Sequence, residues 1–312
     1  MTCASAPTSR WPAGWPGRSA TPSTSAASRC RCSPPTPAAG PRPRSTRRAT
    51  SGSGPAWPRP GLGPLFVHAP YLVNFASASP VTRERSSQVV AATLAKAASI
   101  GAAGVVVHAG QALASGRAAG LAATREALLP LADTATGPDG PDLVLELTAG
   151  TRGALAARFE EMAELLAACD HHPRLKVCMD TCHAQAAGYD LGDPIGAAKA
   201  LDELFATLGG RVVLVHANDS RDPVGAGRDR HCPIGTGTIG DQGFAAILAH
   251  PGLATLPVIT ETTGDPVQMA ADLTRLNHLR PTPHAPDAGK APPDPARTRR
   301  GSTTTSPPEG TQ

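Results

Sequence analysis

The chain has 312 residues, a net charge of +4, 40% hydrophobic residues and only 3% aromatic ones. That length suits one large α/β domain with a core built from Leu, Val, Ile and Ala. No apolar run approaches the roughly 20 residues that span a bilayer, and the N-terminus lacks the apolar stretch of a secretory signal, so neither a membrane-spanning helix nor a secretory leader is expected. The cysteines at 3, 30, 32, 169, 178, 182 and 232 are odd in number and follow no framework spacing. A reduced, cytoplasmic protein is expected.

Residues 1–63 are rich in Pro, Ser and Arg and carry no period of two or 3.6. Prolines every few residues oppose helices and central strands. The segment reads as a disordered arm or as out-of-frame sequence. The pattern changes near residue 64. Short apolar runs at 65–67, 104–107, 143–145, 175–179, 212–215 and 256–259 alternate with amphipathic stretches at 82–100, 117–132, 153–169, 195–208, 241–249 and 266–279. In the third stretch Leu155, Phe159, Met162, Leu165 and Leu166 share one face. Continuous apolar strands alternating with helices predict a parallel sheet covered by helices. The domain of residues 64–280 therefore reads as a TIM-type (β/α)8 barrel. Six units are visible of the eight such a barrel needs. Residues 281–312 read as a disordered tail.

The six strands share one feature: each ends on a potential metal ligand. In chain order these are His68, His108, Glu146, Asp180 (followed by His183), His216 and Glu261, and a polar loop after the fifth strand adds Asp229 and His231. Active-site groups of a parallel barrel sit at the C-terminal ends of its strands. Carboxylates buried there without partners would lose several kcal/mol of solvation, a cost that a cation removes. Imidazole and carboxylate donors without thiolate suit zinc, manganese or iron. Nine donors exceed what one tetrahedral ion uses and suit two or three ions with a bridging carboxylate. Such a cluster activates water and clamps the oxygens of a phosphoryl displacement.

The segments His68-Ala-Pro-Tyr71-Leu72, Val-Val-Val-His108-Ala-Gly110, Glu146-Leu-Thr-Ala-Gly150, Asp180-Thr-Cys-His183-Ala-Gln-Ala-Ala-Gly188-Tyr189-Asp190, His216-Ala-Asn218-Asp219-Ser220, Asp229-Arg230-His231 and Ile234-Gly-Thr-Gly-Thr-Ile-Gly240, with Glu261-Thr262, resemble endonuclease IV, the zinc-dependent abasic-site endonuclease family. The resemblance implies three zinc ions, with manganese as a possible substitute. His68, His108 and Glu146 would hold the first. Glu146, Asp180, His216 and Glu261 would hold the second, and His183, Asp229 and His231 the third. It also implies hydrolysis 5′ to abasic sites in double-stranded DNA, leaving a 3′-hydroxyl and a 5′-deoxyribose phosphate, by a monomer. Glu146 is the candidate catalytic residue that orients or deprotonates the nucleophile. Tyr71 and Leu72 would enter the DNA at the lesion, and Arg230 would meet a phosphate, with a salt bridge to a nearby acid as the alternative. Two departures stand out. The family begins with two β/α units that residues 1–60 do not show, so the first two units of the barrel read as absent or scrambled. The family pattern also has Asn after the bridging Glu, where this chain has Leu147, so a supporting hydrogen bond is expected to be lost.

Two other readings remain open at this level. A sugar isomerase or epimerase on the same barrel type would use one or two ions, against which the His183–Asp229–His231 triad argues. A catalytically impaired protein that binds DNA lesions would keep the ligands without incising. The charge distribution bears on all three. Residues 1–60 hold nine Arg and no acid, whereas residues 61–280 carry about −6, a charge that bound divalent cations would offset.

Overall fold

In the computed structural model the described residues are 30–31, 62–134, 140–261 and 266–281. The alternation read from the sequence folds as β1 Cys30–Arg31, β2 Phe66–His68, α1 Pro80–Ser99, β3 Gly104–His108, α2 Arg117–Thr134, β4 Asp142–Glu146, α3 Phe159–Ala168, β5 Leu175–Asp180, α4 Thr181–Ala187, α5 Pro194–Leu208, β6 Val212–His216, β7 Asp219–Ser220, β8 His231–Cys232, α6 Gly240–Ala249, β9 Val258–Ile259 and α7 Pro266–Leu279. Strands β1 to β6 and β9 form one sheet in that order, parallel throughout. Among the described residues the sheet is open, with β1 and β9 at its edges, so it forms the larger part of a TIM-type wall. No helix among the described residues is long and apolar enough to cross a membrane.

The expectations for residues 1–63 and 281–312 fall almost wholly outside the described residues. One observation touches them: Cys30 and Arg31 pair in parallel with Val67 and His68. Composition did not predict a strand there.

Side chains alternate across each strand, and the alternation sorts the core into two layers. Val105, Val107, Leu143, Leu145, Leu175, Val177, Met179 and Val215 face the helices and belong to the main core with Phe159, Leu165, Leu204 and Phe244. Val106, Val144, Cys178 and Leu214 form a second, smaller cluster, against which Phe66 and Ile259 pack. This is the inner face of the wall. Moving two residues further along each strand from that cluster reaches His68, His108, Glu146, Asp180, His216 and Glu261. The fold thus stacks a polar layer directly on the apolar inner layer.

Two local features differ from the sequence reading. Helix α3 begins at Phe159 rather than near 153. The Gly153 carbonyl accepts from Ala112 N, Leu155 N donates to the Gly110 carbonyl, and Gly153 has φ of +79°, so this stretch is tied to the neighbouring loop. The Glu161 carboxylate then accepts from Ala157 N and Arg158 N, and Tyr189 Oη accepts from Phe159 N, which fixes the helix start. Helix α4 was not predicted. Asp180 caps it by accepting from His183 N at 2.8 Å, and Gly188 closes it with φ of +110°.

The loop from Ile234 to Gly240 is shaped by one buried carboxylate. Asp219 accepts from the backbone N–H groups of Ser220, Gly235, Gly237, Ile239 and Gly240. A Cβ on Gly237 would lie 2.4 Å from Asp219 Oδ1, so only glycine permits this approach. Asp219→Ala would strand several buried N–H donors. It is expected to cost about 3 kcal/mol or more, measured by urea unfolding; a loss within 0.5 kcal/mol (about the noise for a surface substitution) would refute this role.

Candidate metal centre

All nine residues proposed from the sequence converge at the C-terminal end of the sheet. Glu146, at the end of β4, is fully buried. Its Oε2 lies 2.8 Å from His68 Nε2 and 2.9 Å from His108 Nε2, while its Oε1 lies 2.9 Å from His216 Nδ1. The two carboxylate oxygens therefore face two different sets of histidines. His216 Nδ1 also lies 3.1 Å from Glu261 Oε2. On the far side His183 Nε2 is 3.2 Å from Asp229 Oδ2, and His231 Nε2 is 3.0 Å from Asp229 Oδ1 and 3.6 Å from Asp180 Oδ2.

Potential ligand atoms gather into sets with mutual separations within 4.8 Å: His68, His108 and Glu146; Glu146, Asp180, His216 and Glu261; and His183, Asp229 and His231. These are the three groupings the sequence resemblance implies. The thiols of Cys178 and Cys182 fall within the same range of His216 and His231 respectively. Both cysteines are fully buried.

The residues fit cations on two physical grounds. His231 Nε2 is buried and makes no well-aligned hydrogen bond although Asp229 Oδ1 lies 3.0 Å away, a mismatch that a cation held by both would relieve. The histidines are also pre-oriented. A carbonyl only accepts, so His68 donates from Nδ1 to the Ala69 carbonyl at 2.6 Å and His183 donates from Nδ1 to the Leu147 carbonyl at 2.8 Å. Each arrangement leaves Nε2 to face the cluster. The Leu147 substitution thus removes an amide side chain, yet the backbone of the same residue still orients a ligand.

The charges are strongly interdependent. Burial opposes ionisation of Glu146, but the neighbouring His216 and His108 prevail and hold its pKa well below the usual carboxylate range. Burial likewise opposes protonation of the imidazoles, and the carboxylates outweigh it. His68 is raised by Glu146, and His216 is raised well above its ordinary value by Cys178 and Glu146. Asp180 and Asp229 carry His183 to about 10 and His231 to about 11. Against its own burial, Asp229 is lowered by His183 and His231, and Glu261 is lowered to about 2 by His216.

Several supporting residues were not singled out from the sequence. Asn218 is fully buried; its Nδ2 donates to Asp180 Oδ2 at 2.6 Å, and its Oδ1 accepts from Glu261 N at 2.8 Å. It fixes two carboxylates of one set at once. Thr181 Oγ1 donates to the Asn218 carbonyl at 2.7 Å and locks that turn. The run His216-Ala-Asn218-Asp219 was the available signal. Tyr71 and Leu72, after β2, are 78% and 72% exposed. They join Asn74, Gln111, His108 and His183 around a cavity of about 470 Å³ beside the clusters. Arg230 is paired with Asp222, its Nε 2.6 Å from Oδ2 and its second nitrogen on Oδ1. In the protein alone, the salt bridge is the partner of Arg230.

Comparison with known proteins agrees with this geometry. A family model described as xylose isomerase-like TIM barrel matches residues 60–285. A protein of Streptomyces avermitilis named probable endonuclease 4 is 47% identical over 70% of this chain and 71% of its own length. The crystal structure of endonuclease IV from Thermus thermophilus superimposes with a TM-score of 0.60 at 37% identity, over 69% of this chain and 75% of that one. A D-tagatose 3-epimerase-like protein at 23% identity and TM-score 0.55, covering 69% of this chain and 76% of its own, shares the fold. On the family match and the 47% identity, the chain belongs to the endonuclease IV family of xylose isomerase-like TIM barrels.

Proposed function

We propose that this family member is a DNA-repair nuclease that hydrolyses the phosphodiester bond 5′ to an abasic site in duplex DNA, using three zinc ions. The observation that carries the reading is Glu146, with one oxygen on His68 and His108 and the other on His216. It is suited to bridge two cations. The third set, His183 with Asp229 and His231, favours the nuclease over an isomerase or epimerase that manages with one or two ions. Bound zinc, or manganese in its place, would supply a Lewis acid for the phosphoryl oxygens and lower the pKa of a water.

The chain's own groups do the rest. His68, His108 and Glu146 would hold the first ion. Glu146, Asp180, His216 and Glu261 would hold the second, and His183, Asp229 and His231 the third. Glu146 orients the attacking water from its buried position, and Asn218 keeps Asp180 and Glu261 from drifting apart. Tyr71 and Leu72, exposed beside the cavity, would fill the stack where the abasic nucleotide leaves it. Arg230 meets a DNA phosphate once it shares its guanidinium with one. A monomer in the cytoplasm is the setting we assign. Cys169, Cys178, Cys182 and Cys232 are free thiols, which accords with a reducing compartment.

His108→Ala and Glu261→Gln are each expected to lower incision at least about a hundredfold, on a duplex carrying one tetrahydrofuran abasic analogue, with an unchanged far-UV circular dichroism spectrum. Full activity of either variant, or of protein stripped with EDTA, would sink the mechanism. Zinc analysis is expected to give close to three ions per chain; one or two would favour the isomerase or epimerase reading. Binding without incision by the parent protein would leave a lesion-binding protein instead.

The raised histidines set a pH dependence. With pKa values of about 10 and 11, His183 and His231 bind protons at neutral pH in metal-free protein, and a cation must displace them. Metal affinity is therefore expected to rise with pH through the neutral range. Calorimetric titration at pH 7.5 in buffers of different ionisation heat should show protons released on binding. Heats independent of the buffer would contradict it.

A further inference from the structure

The hairpin that carries Asp229 and His231 holds a second electrostatic device. Strands β7 and β8 pair antiparallel, Ser220 opposite His231. Three arginines lie between or beside them. Arg221 Nε donates to the His231 carbonyl at 3.0 Å and so ties the hairpin's two sides together. Arg230 makes a two-nitrogen pair with Asp222, and Arg228 approaches the same carboxylate at 3.6 Å. The side chains of Arg228 and Arg230 are 65% and 54% exposed, whereas that of Asp222 is 6% exposed beneath them.

The backbone under Asp222 is fixed. Its N–H donates to Ser220 Oγ at 3.2 Å, and its carbonyl accepts from Ser220 Oγ at 3.0 Å and Thr238 Oγ1 at 2.7 Å. The carboxylate is thus a built counter-ion and not a surface acid that happens to lie near. Arg230 sits between Asp229 and His231, so the masked positive charge borders the third ligand set.

We propose that Asp222 is a specificity-determining residue for DNA: as the internal counter-ion of Arg228 and Arg230 it weakens the hairpin's hold on undamaged backbone. A passing phosphate offers little beyond what Asp222 already supplies. A phosphate drawn into the metal centre brings further contacts, and these offset the loss of the Asp222 pair. Discrimination then comes from the exchange of one anion for another. The proposal rests on the abasic-nuclease reading and on Arg230 as a DNA contact.

The test is Asp222→Asn, which keeps shape and removes the charge. Its affinity for an undamaged 20-base-pair duplex is expected to rise about fivefold near 0.1 M salt, with a salt slope steeper by about one. Undamaged competitor DNA should then inhibit incision of the abasic duplex more strongly than it does for the parent. Asp222→Glu, which restores the charge, should return toward parent behaviour. A structural role alone would not move the salt slope. Unchanged affinity and slope in Asp222→Asn, or loss of bound metal from that variant, would overturn the proposal while leaving parent incision intact. A parent protein that fails to nick the abasic duplex would instead remove the reading beneath it.

Discussion

The site depends on one buried carboxylate with three histidines around it. Glu146 is fully buried from bulk solvent, and an isolated charge in that position would be untenable. Its oxygens are satisfied by imidazoles from three other strands, β2, β3 and β6. Those strands can deliver their side chains to one point because the sheet is parallel and strand alternation places the terminal residue of each on the inner face. The register pairs His108 with Glu146 and Asp180 with His216. A one-residue slip in β4 would turn Glu146 outward and leave the histidines facing an apolar wall. The apolar inner cluster one layer below is therefore part of the site, because it holds that register.

The remaining carboxylates are held by a different principle. Asp180 spends one oxygen capping α4 and offers the other to Asn218 and the cluster. Helix initiation and ligand placement are then a single event. Asp219 plays a parallel part in the next loop, gathering five backbone donors so that the glycine-rich turn closes over the hairpin. These two aspartates show how loops acquire the positional precision of strands: each fixes its backbone with charge-assisted hydrogen bonds.

Most of the fold and the nine candidate ligands were legible in the sequence, six of them from strand periodicity and His183, Asp229 and His231 from the polar segments beside those strand ends. Apolar strands end where polarity begins, and ligand type is visible at that boundary. Helix α4 escaped because its seven residues are buried almost throughout, so it presents no amphipathic stripe. The start of α3 escaped because Leu155 continues the helical spacing while its backbone is bound to the loop at Gly110. Asn218 and Asp222 escaped for a further reason. The role of Asn218 exists only between segments distant in sequence, and a lone Asn or Asp in a turn looks the same whether it holds a partner or merely closes the turn. The pair of Arg230 with Asp222, eight positions apart, was foreseen only as the duller of two options.

Charge poses the last question, since residues 61–280 carry about −6 and the proposed substrate is a polyanion. At physiological salt, charges separated by more than about 8 Å are largely screened. The sign of the whole body therefore matters less than the charge within one such length of the reacting phosphate. That neighbourhood contains the ligand sets, whose carboxylates bound cations would neutralise, and the arginines of the hairpin. Many of the acids are spent elsewhere: Glu164 on Arg117, Asp170 on Arg125, Asp241 on Arg275. With cations bound, positive charge gathered on that face would draw the proposed substrate to the site despite the acidic balance of residues 61–280. The internal pairing of Arg230 with Asp222 extends the same logic to shorter range, because even there the positive charge is answered until a better anion arrives.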